Sequence, residues 1–285
     1  MPFLQSLELP ANTIRGTIPP ELANMKHLVN LEISFNELSG TIPDAVFEMK
    51  SLIRFNIETN KLSGQLSPKI AQLRDLKGFF ASSNDFTGSI PSEFGLLQSL
   101  TYLRLSENRL NGKFPSEIAN LLALEELWMS DNDLSGEIPP GLGNFRNMKD
   151  LRFRRNPRLG GHWPMDFWNN QYLDWFDIRG CNFTGSLGPN IGRMENLVFF
   201  RIAGNRFNGT IPAEIGNLKY LSTLWIERND ITGPMPEEIC NAQTHNAMSS
   251  LVADCLGDEP QVDCPCCTAC CFADNTGCKK MDEGS

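Results

Sequence analysis

The sequence has few of the residues that most enzymes use for catalysis. It contains only three histidines, His27, His162 and His245, and they are spread over the whole chain. No Gly-x-Ser-x-Gly, His-Glu-x-x-His, phosphate-binding loop or dinucleotide fingerprint occurs in it. Carboxylates that adjoin in sequence, such as Glu125 and Glu126, would point to opposite faces of a strand. We therefore expect a protein that is not an enzyme and that needs no cofactor.

Positive charge and long apolar runs are also scarce. Lysine and arginine total 25 against 34 aspartates and glutamates, which gives a formal net charge of −9. Nucleic-acid binding needs a basic surface to meet phosphates, so we expect no nucleic-acid partner. No apolar run approaches the roughly 20 residues that cross a bilayer. The opening "MPFLQSLELP" does not have the form of a signal peptide.

Cysteine is absent from the first 180 residues and crowded at the other end. Cys181 is isolated, and an even number of closely spaced cysteines after it favours disulfides, which indicate an oxidising compartment. The close spacing leaves thiolate ligation of a metal open as an alternative, although adjacent cysteines suit disulfides better and we expect no metal site. The eight cysteines are Cys240, Cys255, Cys264, Cys266, Cys267, Cys270, Cys271 and Cys278.

What the sequence has in abundance is a repeat. The stretches "LVNLEISFNELSGTIP" (28–43) and "LTYLRLSENRLNGKFP" (100–115) share the pattern LxxLxLxxNxLxGxIP. Ten copies, numbered here repeats 1 to 10, extend from residue 4 to about residue 239. The step is 24 residues, except that Cys181 replaces the asparagine of repeat 8 and an insertion near Gly160 and Gly161 makes that step 25. The asparagines are Asn12, Asn36, Asn60, Asn84, Asn108, Asn132, Asn156, Asn205 and Asn229.

Each copy is too small to bury its own apolar residues. The LxL alternation predicts a short strand with one buried face. The following Gly-x-Ile-Pro predicts a bend and a second short extended segment, which proline keeps from lengthening. A helical or 3₁₀ turn then brings the remaining apolar residues inward. Copies must therefore stack into a solenoid, in which the asparagines satisfy backbone groups of the turns and Cys181 is a small buried substitute.

This pattern resembles the plant-type leucine-rich repeat, whose mark is the LxGxIP segment. The resemblance implies an α/β fold, a right-handed solenoid of about ten repeats with a parallel β-sheet on its concave side. We expect the solenoid over residues 1–239 and a cysteine-rich C-terminal cap over residues 240–285, similar to the ends of diatom and algal leucine-rich repeat proteins. No cysteine-paired cap precedes Leu4, so we expect a partner or a segment outside this sequence to cover that edge.

The exposed face of the predicted sheet carries aromatic and arginine residues in repeats 5 to 10. Such residues dominate binding hot spots, so this face is predicted to bind a peptide or protein whose acidic group the arginines orient. Cross-strand ion pairs of Asp177 with Arg152 and Arg201 are the alternative explanation. The predicted binding residues are Tyr102, Arg104, Trp128, Arg152, Arg154, Arg155, Trp175, Asp177, Arg179, Phe199, Arg201 and Trp225.

The resemblance also implies recognition outside the cell. The family includes ectodomains of plant receptor kinases, some of which hold a peptide carboxylate with an Arg-x-Arg pair, and Arg152-Phe153-Arg154 looks like such a pair. Sequons at Asn182 and Asn208 agree with secretion. We therefore expect an extracellular or secretory-lumen protein, with any membrane anchor outside this sequence. Two alternatives stay open: a structural subunit of a larger assembly, and an inhibitor of a carbohydrate-active enzyme, like the polygalacturonase-inhibiting members.

Overall fold

A computed structural model describes residues 3–245, 248–274 and 276–281 of the chain. Each repeat contributes a three-residue strand to one long parallel sheet, whose exposed side we call the concave face. Trp128 pairs with Arg152, and Arg152 with Asp177, so equivalent residues of successive repeats are neighbours. The ten strands are Ser6–Glu8, Asn30–Glu32, Arg54–Asn56, Gly78–Phe80, Tyr102–Arg104, Glu126–Trp128, Asp150–Arg152, Trp175–Asp177, Phe199–Arg201 and Thr223–Trp225.

A second parallel sheet follows the bend of each repeat. Its strands stay short because a proline follows within a few residues in most repeats. They are Arg15–Gly16, Glu37–Gly40, Lys61–Gln65, Asp85–Gly88, Arg109–Lys113, Asp133–Glu137, Arg158–His162, Asn182–Ser186, Arg206–Gly209 and Asp230–Ile231.

The helical part of each of repeats 1 to 9 is a single 3₁₀ segment, because only about a turn of chain separates the proline from the next strand. These segments are Pro20–Asn24, Asp44–Glu48, Pro68–Gln72, Ser92–Leu96, Ser116–Asn120, Pro140–Asn144, Met165–Asn169, Pro189–Arg193 and Ala213–Asn217. The α-helix α1 (Glu237–His245) follows repeat 10. Within the described ranges, no helix has the length and apolar character to cross a bilayer.

The core lies between the concave sheet and the 3₁₀ segments. The middle residue of each concave strand from repeat 2 onward points into it and is no more than 1% exposed, as for Leu127 and Phe176. Repeats 7 and 8 add a cluster of large rings to this core. Trp163 lies there with its ring centroid 5.2 Å from that of Phe167 and 5.0 Å from that of Phe183. The burial confirms that stacking of copies supplies the core that one copy lacks.

Buried asparagines join each repeat to the one before it. Asn132 donates from Nδ2 to the carbonyl oxygens of Leu105, Met129 and Ser130 at 2.9, 3.2 and 3.2 Å. Its Oδ1 accepts a hydrogen bond from the backbone N–H of Leu110 at 3.0 Å. The asparagine thus satisfies backbone groups that the strand pairing leaves without partners, which confirms the function expected for it.

The prediction of an insertion near Gly160 and Gly161 is wrong about its place. Two residues, Pro157 and Arg158, separate Asn156 from the next leucine, where the other repeats have one. The two glycines belong to the second sheet, within the strand Arg158–His162. The turn just before this strand absorbs the extra residue instead.

This insertion explains why repeat 8 tolerates a cysteine in the asparagine position. The N–H of Leu159 turns back and donates to the carbonyl oxygen of Asn156 at 2.9 Å. In other repeats the equivalent N–H needs the asparagine Oδ1 of the next copy. Cys181 therefore faces no unpaired donor, and its thiol donates weakly to the carbonyl oxygen of Phe153 at 3.2 Å.

We expect the Cys181 thiol to resist alkylation in the native protein. Burial raises its pKa to about 12, so very little thiolate exists at neutral pH. Intact mass after iodoacetamide treatment should show no adduct under native conditions, one adduct in urea, and nine after reduction. Rapid labelling of the native protein at one thiol would contradict this placement.

The cysteine-rich end confirms the predicted disulfides. All eight cysteines pair, as Cys240–Cys266, Cys255–Cys270, Cys264–Cys267 and Cys271–Cys278. The sulfur atoms of Cys255, Cys264 and Cys267 lie within 4.8 Å of one another, but each belongs to a disulfide and none is a thiolate available to a metal.

The cap continues the concave sheet past repeat 10. Strand Ser250–Leu256 pairs parallel with Thr223–Trp225, then Ala269–Phe272 joins it, and Cys278–Lys280 ends the sheet antiparallel. The short strands Gly233–Pro234 and Val262–Asp263 also pair. The expected boundary between residues 239 and 240 falls inside α1, so the division into two domains stays a prediction.

Candidate functional site

The concave strands bring most of the predicted binding residues into adjoining columns. One column contains the third residue of six successive concave strands, in order Arg104, Trp128, Arg152, Asp177, Arg201 and Trp225. The column two residues before it holds Tyr102, Trp175 and Phe199, and the column two residues after it holds Arg154 and Arg179. Arg155 lies outside these columns, in a turn, with its side chain 74% exposed.

Arginine and aromatic side chains alternate along this surface. The guanidinium carbon of Arg152 lies 4.2 Å from the ring centroids of both Trp128 and Trp175. Trp128 also stacks with Arg104 at 3.8 Å, and Arg201 lies 4.9 Å from Trp175. Arginines on both sides of these rings restrict their motion and offer little ring face to a ligand. We call this set the cation–aromatic ladder; it comprises Arg104, Trp128, Arg152, Trp175, Arg201 and Trp225.

Carboxylates within the protein neutralise most of the predicted arginines. Arg152 makes a bidentate pair with Asp150 at 2.7 and 2.6 Å, even though burial raises the pKa of Asp150. The remaining pairs are Arg104–Glu126 at 2.6 Å, Arg154–Asp131 at 3.0 Å, Arg155–Asp131 at 3.2 Å and Arg179–Asp177 at 2.6 Å. The alternative that pairs Asp177 across strands with Arg152 and Arg201 is wrong, because its carboxylate binds Arg179, two residues farther along the chain.

Arg201 differs from the other predicted arginines. In the part of the chain that the structure describes, its guanidinium has no carboxylate within salt-bridge distance, and its Nε is buried without a hydrogen-bond partner. Its guanidinium carbon lies 4.8 Å from the ring centroid of Phe199 and 4.6 Å from that of Trp225. Burial lowers the pKa of Arg201, and the nearby positive charge of Arg179 lowers it further. A group of opposite charge would relieve both effects.

Arg201 lines a depression of about 250 Å³ in the concave face, together with Trp128, Arg152, Arg154 and Trp175. We call this the concave depression. It is large enough for one or two side chains of a bound chain rather than for a whole small molecule, whose pockets usually exceed about 300 Å³. The surface therefore suits an extended or protein ligand.

The opposite wall of the concave depression contains residues that the sequence did not suggest. Glu58 and Glu107 lie there with Ser82 and Ser83. Burial raises the pKa of Glu58, and Glu107 accepts a hydrogen bond from the Ser83 hydroxyl at 2.8 Å. Repeats 3 to 5 contain no tryptophan, the residue type that predicted a binding face farther along the chain. A plot of each column by repeat would have placed Glu58 in the same column as Arg154.

The two predicted glycosylation asparagines differ in exposure. Asn208 is exposed on the second sheet, while Asn182 is half-buried and begins the strand Asn182–Ser186. Glycosylation at either residue stays a prediction.

Comparisons with known proteins support the repeat fold described above. The Leucine Rich Repeat family model matches residues 27–49, 99–121, 123–145 and 196–218. The structure superposes on the plant peptide hormone receptor RGFR1 in complex with RGF2 with a TM-score of 0.78 and 31% identity, over 92% of this chain. The chain is a leucine-rich repeat protein of the plant type.

The leucine-rich repeat protein spans less than half of that receptor chain, 44%. It also superposes on the ectodomain of the Arabidopsis thaliana receptor kinase GASSHO1/SCHENGEN3, solved with CASPARIAN STRIP INTEGRITY FACTOR 2, with a TM-score of 0.80, 27% identity and coverage of 92% of this chain and 33% of that one. A plant ice-binding protein, 23% identical, shares the fold with a TM-score of 0.75, over 90% of this chain and 83% of its own. A search of curated proteins finds no match.

Proposed function

We propose that this leucine-rich repeat protein is a non-catalytic recognition module that binds a peptide or protein on the concave face of repeats 5 to 10. The observation that carries the proposal is Arg201, a half-buried cation among three aromatic rings with no carboxylate partner in the described chain. Such a group is costly to leave unpaired, and a ligand that supplies the missing acceptor gains a charge-assisted hydrogen bond.

The ligand is proposed to carry an acidic group that reaches Arg201. Phe153, between the two arginines of the Arg-x-Arg pair, is fully buried, which supports the proposal that both arginines face the concave side. Arg152 and Arg154, however, already hold Asp150 and Asp131. A ligand carboxylate at that pair would share donors with these carboxylates, whereas at Arg201 it meets no competing carboxylate from the described part of the chain. Arg201 is therefore the anchor, and the pair contributes positive potential beside it.

The disulfides and the similar receptor structures support recognition in an extracellular or secretory compartment. Four disulfides require oxidising conditions to form and persist. The two receptors that resemble the chain were solved in complex with RGF2 and with CASPARIAN STRIP INTEGRITY FACTOR 2, and the first is a peptide hormone receptor. These relatives favour binding over catalysis for this fold.

The test is selection of peptides from a random display library on the whole protein, followed by affinity measurement on variants. We expect selected peptides to be rich in aspartate and glutamate. Arg201→Gln should weaken their binding at least about tenfold, the effect of one charge-assisted hydrogen bond. Arg206→Gln, on the exposed second sheet and without a carboxylate partner in the described chain, is the matched control and should bind as the wild type does.

Trp175→Ala removes one ring that supports Arg201 and should also weaken binding, with the far-ultraviolet circular dichroism unchanged. The proposed surface would be contradicted if the selected peptides bound the wild type, Arg201→Gln and Trp175→Ala equally. Failure to select any concave-face binder would contradict it as well.

A further inference from the structure

Two of the four disulfides in the cysteine-rich cap lie against each other. Cys255 is bonded to Cys270, and Cys264 is bonded to Cys267. The sulfur atoms of Cys255, Cys264 and Cys267 nevertheless all lie within 4.8 Å of one another. The sulfur of Cys270 adjoins this group through its bond to Cys255. We call the four residues the sulfur cluster: Cys255, Cys264, Cys267 and Cys270.

Backbone pairing, and not only a disulfide, brings two members of the sulfur cluster together. Cys255 lies in the strand Ser250–Leu256 and Cys270 in the strand Ala269–Phe272, and these strands pair in parallel. Ser250–Leu256 also pairs with Thr223–Trp225 of repeat 10. We therefore expect the sheet to keep both cysteines in place when their disulfide is reduced.

The other two members are anchored to repeat 10 by a separate pair of strands. Cys264 directly follows the strand Val262–Asp263, which pairs with Gly233–Pro234. Cys267 comes three residues after Cys264, the Cys-x-x-Cys spacing that lets two thiolates bind one metal ion. All four thiols of a reduced cap would thus remain close together.

The burial and spacing of the sulfur cluster suit a thiophilic metal ion. Cys264, Cys267 and Cys270 are 7%, 6% and 1% exposed. Tetrahedral zinc holds thiolates at about 2.3 Å, which puts their sulfur atoms about 3.8 Å apart. Movements of about 1 Å would therefore turn the observed group, within 4.8 Å, into zinc ligands. The ion would also neutralise thiolates that are costly to bury unpaired.

We propose that the reduced sulfur cluster binds one Zn²⁺ through four thiolates, and that oxidation of the cluster to its two disulfides releases the metal. Thiolate ligands favour zinc over calcium and magnesium. The site belongs to the reduced chain, as it exists before its disulfides form, because the disulfides exclude a metal from the oxidised cap. The inference does not rest on the proposed function, since no concave-face residue takes part in it.

The release step balances with a small-molecule disulfide as the oxidant. One zinc tetrathiolate reacts with two molecules of that disulfide and four protons. The products are the bonds Cys255–Cys270 and Cys264–Cys267, four small thiols and free Zn²⁺. Four electrons pass from the protein thiolates to the two small disulfides, whose sulfur–sulfur bonds break.

The experiment is a titration of the whole protein with Co²⁺, which takes the place of Zn²⁺ in thiolate sites and absorbs visible light there. The protein is first reduced with a phosphine and freed of it without oxygen, and circular dichroism checks that the solenoid stays folded. We expect one Co²⁺ per chain, with the charge-transfer and visible bands of a tetrahedral tetrathiolate, and its displacement by Zn²⁺. Protein with its disulfides intact should give none of these bands.

Single serine variants test which thiolates bind the ion. Cys255→Ser and Cys267→Ser should each weaken Co²⁺ binding at least about tenfold, because loss of a ligand costs no less than loss of a group that orients one. Cys278→Ser is the matched control. Its cysteine pairs with Cys271, outside the sulfur cluster, so the variant should bind as the wild type does.

Oxidised glutathione added to the Co²⁺-loaded protein should bleach the bands, transfer the metal to a coloured chelator and restore the two disulfides in a peptide map. Absence of a tetrathiolate spectrum from the reduced protein would overturn the site. Equal weakening by Cys278→Ser and Cys255→Ser would overturn it too. Metal that stays bound after Cys255–Cys270 and Cys264–Cys267 have formed would overturn the release.

Discussion

Trp163→Ala should lower the free energy of unfolding by about 4 kcal/mol, because truncation of a fully buried large ring combines lost transfer energy with a cavity. Trp163 is 1% exposed. Its ring centroid lies 5.2 Å from that of Phe176 and 5.0 Å from that of Phe183. These rings come from repeats 7 and 8, so the cavity would open at the junction where the insertion already alters the turn.

Urea unfolding, followed by circular dichroism, measures this loss. Trp163→Phe keeps most of the ring volume and removes an indole N–H that has no partner in the described structure, so its cost should be about a third as large. Tyr220→Ala is the control: the residue is 61% exposed, and its truncation should change stability by less than about 0.5 kcal/mol. Equal midpoints for Trp163→Ala and Tyr220→Ala would show that the cluster is not packed as described.

Asn132→Ala is expected to cost about 3 kcal/mol, since it leaves several buried backbone groups without partners. The lost contacts include the acceptor for the N–H of Leu110 and the donors to the carbonyl oxygens of Leu105, Met129 and Ser130. The methyl group of alanine supplies none of them.

Repeat 8 provides the matched control within the same chain. Cys181→Ala changes the equivalent position, but the N–H of Leu159 is already bonded to Asn156, so no donor is orphaned. We expect this variant to lose less than about 1 kcal/mol. A difference of about 2 kcal/mol between the two unfolding free energies would therefore measure how much more the asparagine contributes to stability than the cysteine does. Similar costs for both variants would contradict this account of the asparagines.

The fold was predictable because one pattern occurs ten times. A period of 24 residues places equivalent residues side by side, so the strands, the buried leucines and the asparagine contacts follow from spacing alone. The cysteine count likewise predicted four disulfides, but not their pairing, because eight cysteines allow about a hundred arrangements. The place of the insertion was missed although the sequence shows it, because two residues separate Asn156 from Leu159 where the other repeats have one.

The sequence predicted which residues form the candidate site, but it did not predict how their charges pair. The column that holds Arg152, Trp128 and Arg201 follows directly from the repeat, and the structure brings them together as a stack. The sequence could not show that Asp131 reaches the arginines of the next repeat, because this contact depends on the direction of a turn. For the same reason it could not show that Arg201 has no carboxylate partner among the residues that the structure describes.

The sequence by itself therefore determined the architecture, the facing of each strand and the residues that line the concave sheet, because all three depend on periodicity. Only the tertiary structure decided which cations remain free and where the surface is open. Ion pairing depends on distances of a few ångströms between turns. The surface is open at Gly180 and Gly204 because these glycines, 24 residues apart in sequence, become neighbours in space.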